Sequence, residues 1–189
     1  MTSRDSFGNA CDRLVRLHLR QLYQVEFDVL DSVKRAQKVF GQVGFLIEVV
    51  SSKSMSMDAA SLQTLNSIQT SCTPGRSSAD QLAVFRRFGV QDLHSITTFF
   101  VQTLMDTERY EQNGCAAHAP DAPAIFVGSV ATPWTLAHEL GHVLIGRQSG
   151  HMQSDGHVMS PTWMIGTENP AFTEPQVKLM RKSPYALAH

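Results

Sequence analysis

The most informative stretch of the chain is His138-Glu139-Leu140-Gly141-His142. On a helix, two histidines four residues apart lie one above the other on the same face, because the helix repeats about every 3.6 residues. Their imidazoles can therefore bind one zinc ion together. Glu139 projects about 100° further round the helix, so it can reach a water on the metal without taking a ligand position. The spacing predicts a hydrolytic zinc site with an open position and a carboxylate base.

The residues around this motif predict the helix that carries it. Thr132 is a candidate N-cap, Pro133 suits the first helical position, and Gly146 can adopt the left-handed conformation that ends many helices. We therefore expect the helix to run from about Pro133 to Ile145. Its apolar face should pack into the core, opposite the histidines. That face consists of Leu136, Leu140, Val143 and Leu144.

A third protein ligand is needed, because a catalytic zinc usually has three and leaves one position for water. The candidates lie after the helix, where Gly146 and Gly150 allow the chain to turn back towards the metal. His151 is the preferred candidate. His157 and Asp155 are the alternatives that the sequence leaves open.

The motif resembles that of the metzincin clan of zinc metallopeptidases, whose pattern is H-E-x-x-H-x-x-G-x-x-H followed by a methionine turn. His138, Glu139 and His142 match the first half of that pattern. Gln148 stands where the clan has its third histidine, so this chain departs from the strict pattern. A short insertion would place His151 in that role.

The resemblance extends to other segments. The segment from His157 to Pro161 resembles the turn that lies beneath the metal in this clan, with Met159 as its methionine and Met164 as a weaker candidate. The segment from Phe172 to Met180 resembles the closing helix of small bacterial proteins of this type. The resemblance implies an α+β fold, in which helices pack on a twisted mixed sheet. It also implies that an edge strand holds the substrate, and residues 124–128 resemble that strand.

Periodicity and turn residues predict the other elements. Strands are expected at residues 13–22, 45–50, 96–104 and 124–128, and helices at about 28–40 and 79–88. Residues 51–80 are expected to form mainly a long loop, and His118 a turn before the edge strand. This order fits a sheet with helices packed on it. The length suits one catalytic domain spanning residues 1–189.

Composition limits the partners and the location. The chain is 42% hydrophobic and 17% charged, as in globular proteins, and its net charge of -1 offers no basic surface to nucleic acid or an anionic membrane. No segment approaches the ~20 apolar residues that span a bilayer, and the N-terminus shows no signal peptide. We expect neither a nucleic-acid nor a membrane partner. The sequence leaves the location open between the cytoplasm and export by a route not visible in sequence, and it leaves the oligomeric state open.

The three cysteines, Cys11, Cys72 and Cys115, are too few for a disulfide scaffold. Cys72 and Cys115 could pair if the chain is exported. At least one thiol stays free because the count is odd. All three are interpreted as structural.

Together these observations predict a zinc metalloendopeptidase that acts on peptides or proteins. Three histidines, His138, His142 and His151, hold Zn²⁺, and Glu139 is the general base for the zinc-bound water. Two alternatives remain. One is a non-catalytic module with a structural zinc, which would need a fourth protein ligand. The other is a zinc hydrolase that acts on a non-peptide amide or ester.

Overall fold

The computed structural model describes residues 3–55, 65–73, 76–119, 122–146, 151–152, 156–161 and 169–189. Four residues discussed above, Gln148, Gly150, Asp155 and Met164, lie outside these ranges. The strands are β1 (Ser3–Arg4), β2 (Ala10–Cys11), β3 (Arg13–Gln21), β4 (Phe45–Ser54), β5 (Ser67–Gln69), β6 (Ser95–Phe100), β7 (Thr103–Met105), β8 (Gly114–Ala119), β9 (Ala122–Val127) and β10 (Leu187–Ala188). The helices are α1 (Val29–Gly41), α2 (Ala79–Phe88), α3 (Thr135–Ile145) and α4 (Glu174–Met180).

The main sheet is mixed, which confirms the predicted α+β class. Strands β4, β3, β6 and β9 are parallel neighbours in that order, and β8 pairs antiparallel with β9. The short β10 pairs antiparallel with the start of β3. Two smaller sheets join β1 to β2 and β5 to β7. Strand β8 is therefore the outer strand of the main sheet at the end that adjoins α3.

The edge strand is not the segment predicted for it. Residues 124–128 fall largely in β9, which pairs with β6 on one side and β8 on the other. The edge is β8, whose small residues, Gly114, Ala116 and Ala117, give little local signal for a strand. His118 belongs to this strand, in register with Pro123, and not to a turn. Pairing with a buried neighbour, and not local propensity, makes β8 a strand.

Side chains alternate between two cores on the faces of the sheet. Val15, Leu17 and Leu19 of β3 point to the face that α1, α3 and α4 cover, with Phe40, Leu140 and Met180. On the other face, Phe99 of β6 and Phe126 of β9 belong to one core with Phe85 of α2. Successive side chains of a strand point to opposite faces, so a strand covered on both faces is buried along its whole length, as β6 is.

The ends of the helices follow local signals, with one exception. Asp28 caps α1, and Ser78 with Gln81 forms a capping box at α2. The motif helix α3 begins at Thr135 and has no side-chain cap, so the prediction that Thr132 caps it is wrong. The Thr132 backbone N–H instead donates to Oγ1 of Thr135 at 2.9 Å.

Other predicted segments differ from the structure in extent. The strand expected at 96–104 is interrupted: β6 stays in the main sheet, and β7 leaves it to pair with β5. The strand expected at 45–50 continues to Ser54. Among the described residues, no helix has the length and apolar character needed to cross a bilayer.

Candidate metal centre

The motif helix α3 is more deeply buried than a helix with one polar face. Every residue from Thr135 to Ile145 is buried except His142. His138 is 3% exposed and Glu139 is 6% exposed, so the motif face is covered as well as the apolar face. The covering comes from β8 and β9 on one side and α1 and α4 on others. The motif therefore lies inside a cleft.

Three imidazole nitrogens converge in this cleft. The Nε2 atoms of His138 and His142 are 3.0 Å apart, and each lies 3.2 Å from Nε2 of His151. Two nitrogens bound to zinc at 2.0–2.1 Å with a tetrahedral angle stand about 3.3–3.4 Å apart. The three histidines form a group that could hold a metal ion, and they are graded from buried to exposed in that order.

The orientation of His138 leaves a lone pair for a metal. Its Nδ1 lies 2.8 Å from the carbonyl oxygen of Val158. A carbonyl only accepts, so Nδ1 carries the proton and Nε2 presents its lone pair to the cluster. Burial lowers the pKa of His138 to about 4, and burial also lowers the pKa of His151. Neutral imidazole is the form that binds metals, so both effects favour a metal.

His151 is brought to the motif by the turn that contains Met159. The Met152 backbone N–H donates to the Met159 carbonyl at 2.8 Å, and Ser160 donates to the His157 carbonyl at 3.1 Å. Met159 is fully buried. A Cβ built on Gly141 would collide with Sδ of Met159. The glycine of the motif thus lets this methionine pack directly against α3, beside the two histidines.

Glu139 points towards the edge strand. Its carboxyl group hydrogen-bonds the backbone N–H of Ala116 in β8, which favours the ionised form. Burial outweighs that bond and raises the pKa of Glu139 to about 8. Gly114, at the start of β8, packs against the Glu139 side chain. No local pattern in the sequence singles out Gly114 for this contact.

Two adjoining cavities open at the histidines. The larger has a volume of about 420 Å³ and is lined by Glu111, Gln112, Asn113, Gly114, His138, Glu139, His151 and Pro161. The smaller, of about 210 Å³, is lined by Cys72, Gln112, Gly114, Ala116, His138, Glu139, His142 and His151. We call the larger one the Glu111 cavity. The volume of the Glu111 cavity is typical of ligand sites.

A disulfide bond forms part of the smaller cavity. Cys72 and Cys115 are bonded, and Cys11 is buried with a free thiol. The bond ties the segment before α2 to β8, next to the strand residue that contacts Glu139. The sequence raised this pairing only as a possibility.

His157, one of the two alternative ligands, does not join the cluster. His157 forms an isolated parallel bridge with Ala171, and its Nδ1 is buried without a hydrogen bond in the structure described. It is not among the three histidines that converge. Asp155 lies outside the described residues. The structure thus brings His151, and not His157, beside His138 and His142.

Comparison with known proteins adds information about the fold. No protein-family model matches the chain, and no curated protein matches its sequence. The structure is similar to metalloproteinase-II from Bacteroides fragilis, with a TM-score of 0.60, 15% identity, and coverage of 89% of this chain and 52% of that chain. It is also similar to archaemetzincin from Methanopyrus kandleri, with a TM-score of 0.54, 15% identity, and coverage of 89% and 94%.

The two similarities differ in how much of each known protein they cover. The chain spans about half the length of the Bacteroides fragilis protein and nearly all of the archaemetzincin. At 15% identity they show the fold alone. The fold is metallopeptidase-like, as the motif and its helix predict.

Proposed function

We propose that this chain is a zinc-dependent metallopeptidase in which His138, His142 and His151 hold the ion and Glu139 is the general base. The observation that carries the proposal is the convergence of three Nε2 atoms within 3.0–3.2 Å of one another, beside a buried carboxyl group. The metallopeptidase-like fold supports it.

The donor set fits zinc. Three imidazoles with one position left over are the ligand set of catalytic zinc sites, whereas calcium and magnesium prefer oxygen ligands. The hydrogen bond from His138 Nδ1 to Val158 fixes the ring that presents Nε2. When bound, zinc supplies Lewis-acid chemistry: it polarises a carbonyl group and acidifies a water.

The surroundings of Glu139 support a role in proton transfer. Its carboxyl group lies next to the histidines in both cavities, held by the Ala116 N–H. A pKa raised to about 8 by burial would leave it protonated at neutral pH. A nearby dication favours the carboxylate and lowers that pKa, so Glu139 can take a proton from water and return it to the leaving amine.

The free edge of β8 suits an extended peptide. Strand β8 pairs only with β9 among the described residues, and it runs past Glu139. A peptide that adds to this edge would gain main-chain hydrogen bonds, with side chains directed to the adjoining cavities. This placement favours a peptide substrate over a small amide or ester. The substrate strand is β8 in this proposal, in place of residues 124–128.

The alternative of a purely structural zinc needs a fourth protein ligand. Within the described part of the chain, the cluster has three histidines and no further His, Cys, Asp or Glu ligand. Glu139 beside the cluster has no role in a structural site. The arrangement therefore favours catalysis.

The experiment that tests the proposal is cleavage of a peptide library by the zinc-loaded protein. Glu139→Gln should retain about one zinc per chain and lose hydrolysis by about 100-fold or more, the scale of general-base catalysis. Zinc content and folding are measured in parallel. Undiminished cleavage by the Gln variant would refute the assignment of the base.

A further inference from the structure

We propose that Glu111 makes this site selective for substrates with a cationic group beside the scissile bond. The group is a lysine or arginine side chain or a free α-ammonium. The inference rests on the proposed peptidase function and names the substrate class of that site. It concerns the Glu111 cavity, which adjoins His138, Glu139 and His151.

Glu111 gives the cavity its charge. Of the lining residues, only Glu111 and Glu139 carry acidic groups, and no lysine or arginine is among those described. Glu139 is committed to the reacting atoms in the proposed mechanism. Glu111 is therefore the acidic group left to contact a side chain of the substrate.

The backbone on both sides of Glu111 is held in place. Glu111 itself forms an antiparallel bridge with Met105, and the Gln112 N–H donates to the Leu104 carbonyl at 2.9 Å. The side chain of Gln112 accepts from Oγ1 of Thr70 at 3.1 Å. An acidic group on a fixed backbone costs less entropy to engage a ligand than one on a mobile loop.

The turn before Glu111 is also braced. The carboxylate of Asp106 accepts the backbone N–H groups of Glu108 at 2.9 Å and Tyr110 at 2.8 Å. These bonds support Arg109 in the left-handed conformation, with φ of 68°. The turn directs the chain from β7 into the cleft at Glu111.

The charge of Glu111 is not neutralised within the protein. In the described ranges, Glu111 belongs to no ion pair, and the nearest cation along the chain, Arg109, does not pair with it. A divalent cation held by the three histidines would add positive charge to this cleft, and Glu111 is the acidic group of the cavity that the proposed mechanism leaves to offset it. Without Glu111 the same cleft would carry a net positive charge, which repels a cationic substrate group.

The first experiment compares cleavage profiles of a peptide library for the zinc-loaded wild type and Glu111→Gln. The control is Glu108→Gln, which removes an equal charge from the same turn but from a residue that does not line the cavity. In the wild type and in the control, we expect enrichment of a cationic group at one position flanking the scissile bond, either lysine and arginine or the free N-terminus. Glu111→Gln should reduce that enrichment about tenfold, the scale of one charge-assisted hydrogen bond. An unchanged profile in Glu111→Gln, or no cationic preference in the wild type, would overturn the inference.

A library with acetylated N-termini separates the two sources of positive charge. Enrichment that persists after acetylation assigns the preference to a side chain. If acetylation abolishes cleavage, and with it the dependence of cleavage on Glu111, the preference is for the α-ammonium group. Either result supports a cationic specificity, and they identify different substrates.

A binding measurement keeps the inference testable without hydrolysis. Two short peptides with a zinc-chelating hydroxamate, one with lysine and a free N-terminus and one with norleucine and an acetylated N-terminus, are titrated into the zinc-loaded proteins by calorimetry. The wild type and Glu108→Gln should bind the lysine compound about tenfold more tightly, and Glu111→Gln should bind both equally. Preference in binding without any cleavage would refute the peptidase function and leave the specificity standing. Cleavage with no preference for the cationic group in either assay would refute the specificity and leave the peptidase function standing.

Discussion

Gly114 of β8 lies so close to Glu139 that a Cβ atom at position 114 would stand 2.8 Å from Oε1 of the glutamate. The same Cβ would stand 2.8 Å from Cγ of Glu139 and 2.6 Å from Cγ2 of Thr135. The edge strand therefore fits against the motif helix only because position 114 has no side chain. The proposed base is located as much by this glycine as by its own position in the motif.

This contact predicts a variant that changes catalysis and spares the metal. Gly114→Ala should displace the Glu139 side chain and lower kcat/KM about 10- to 100-fold, since misplacing a reacting group by about 1 Å has that effect. The three histidines are not touched, so about one zinc per chain should remain. Steady-state kinetics and metal analysis on the same preparation check this. Full activity in Gly114→Ala would show that Glu139 tolerates the shift.

A second prediction concerns the contact between Gly141 and Met159. Gly141→Ala should lower the free energy of unfolding by about 1–3 kcal/mol, because the added methyl group overpacks against Sδ of Met159. Met159→Ala alone should also destabilise, because it leaves a cavity. The double variant should be more stable than the sum of the two changes predicts. Denaturant unfolding of all four proteins gives the coupling energy, and strict additivity would contradict direct contact.

Metal binding should discriminate between the histidines. Replacing His138, His142 or His151 by Gln should each weaken zinc binding by more than the 10–100-fold typical of groups outside the ligand shell. His157→Gln should bind zinc as the wild type does, since His157 lies outside the converging group. Competition with a chromophoric chelator measures all four. A larger loss in His157→Gln than in His151→Gln would reassign the third ligand.

The burial of His138 predicts how the metal-free protein responds to acid. Its pKa is lowered from 6.5 to about 4, mainly by burial, so the unfolded chain binds the proton first as the pH falls. The contribution to stability is complete above pH 6.5 and is lost as the pH falls towards 4. We expect a loss of up to about 3 kcal/mol over this interval.

Chelator-treated wild type and His138→Gln, unfolded by denaturant at a series of pH values, test this. The wild type should lose stability across the interval, and the difference between the two proteins should shrink. The matched control His94→Gln should follow the wild type, because His94 belongs to an exposed turn. A constant difference between wild type and His138→Gln would contradict the burial of a neutral ring.

The disulfide bond predicts a dependence on redox conditions. It closes a segment with a sequence separation of 43, so removing it with Cys72→Ser and Cys115→Ser should destabilise the protein by about 2–4 kcal/mol. Added thiol reductant should lower the melting temperature of the wild type and leave the double variant unchanged. Cys11→Ser serves as the control, because Cys11 is not bonded. Equal responses of wild type and double variant would show that the bond does not form in solution.

Features decided by local chemistry could be predicted from the sequence. The placement of His138, Glu139 and His142 follows from helical periodicity. The start of α1 at Asp28 and the capping box of α2 follow from the side chains at those positions, and the positive φ of Gly146 follows from its lack of a Cβ atom. Strands β3 and β4 follow from alternating or apolar runs that must be buried. These signals act between residues only a few positions apart, so they can be recognised in the sequence alone.

Only the tertiary structure decided which histidine completes the cluster, which strand forms the edge and what charge lies in the cleft. Gly114 and Glu111 have no distinctive neighbours in sequence, and the glycines before His151 made it the preferred ligand without excluding His157 or Asp155. Each acquires its role because the sheet and the turn at Met159 bring it to α3 from a distant part of the chain. The segments that return to α3 through loops are positioned by the packing of the whole molecule. The spacing of residues in the sequence does not encode that packing. The motif thus indicated the chemistry that we propose, and the fold decided which residues lie beside it.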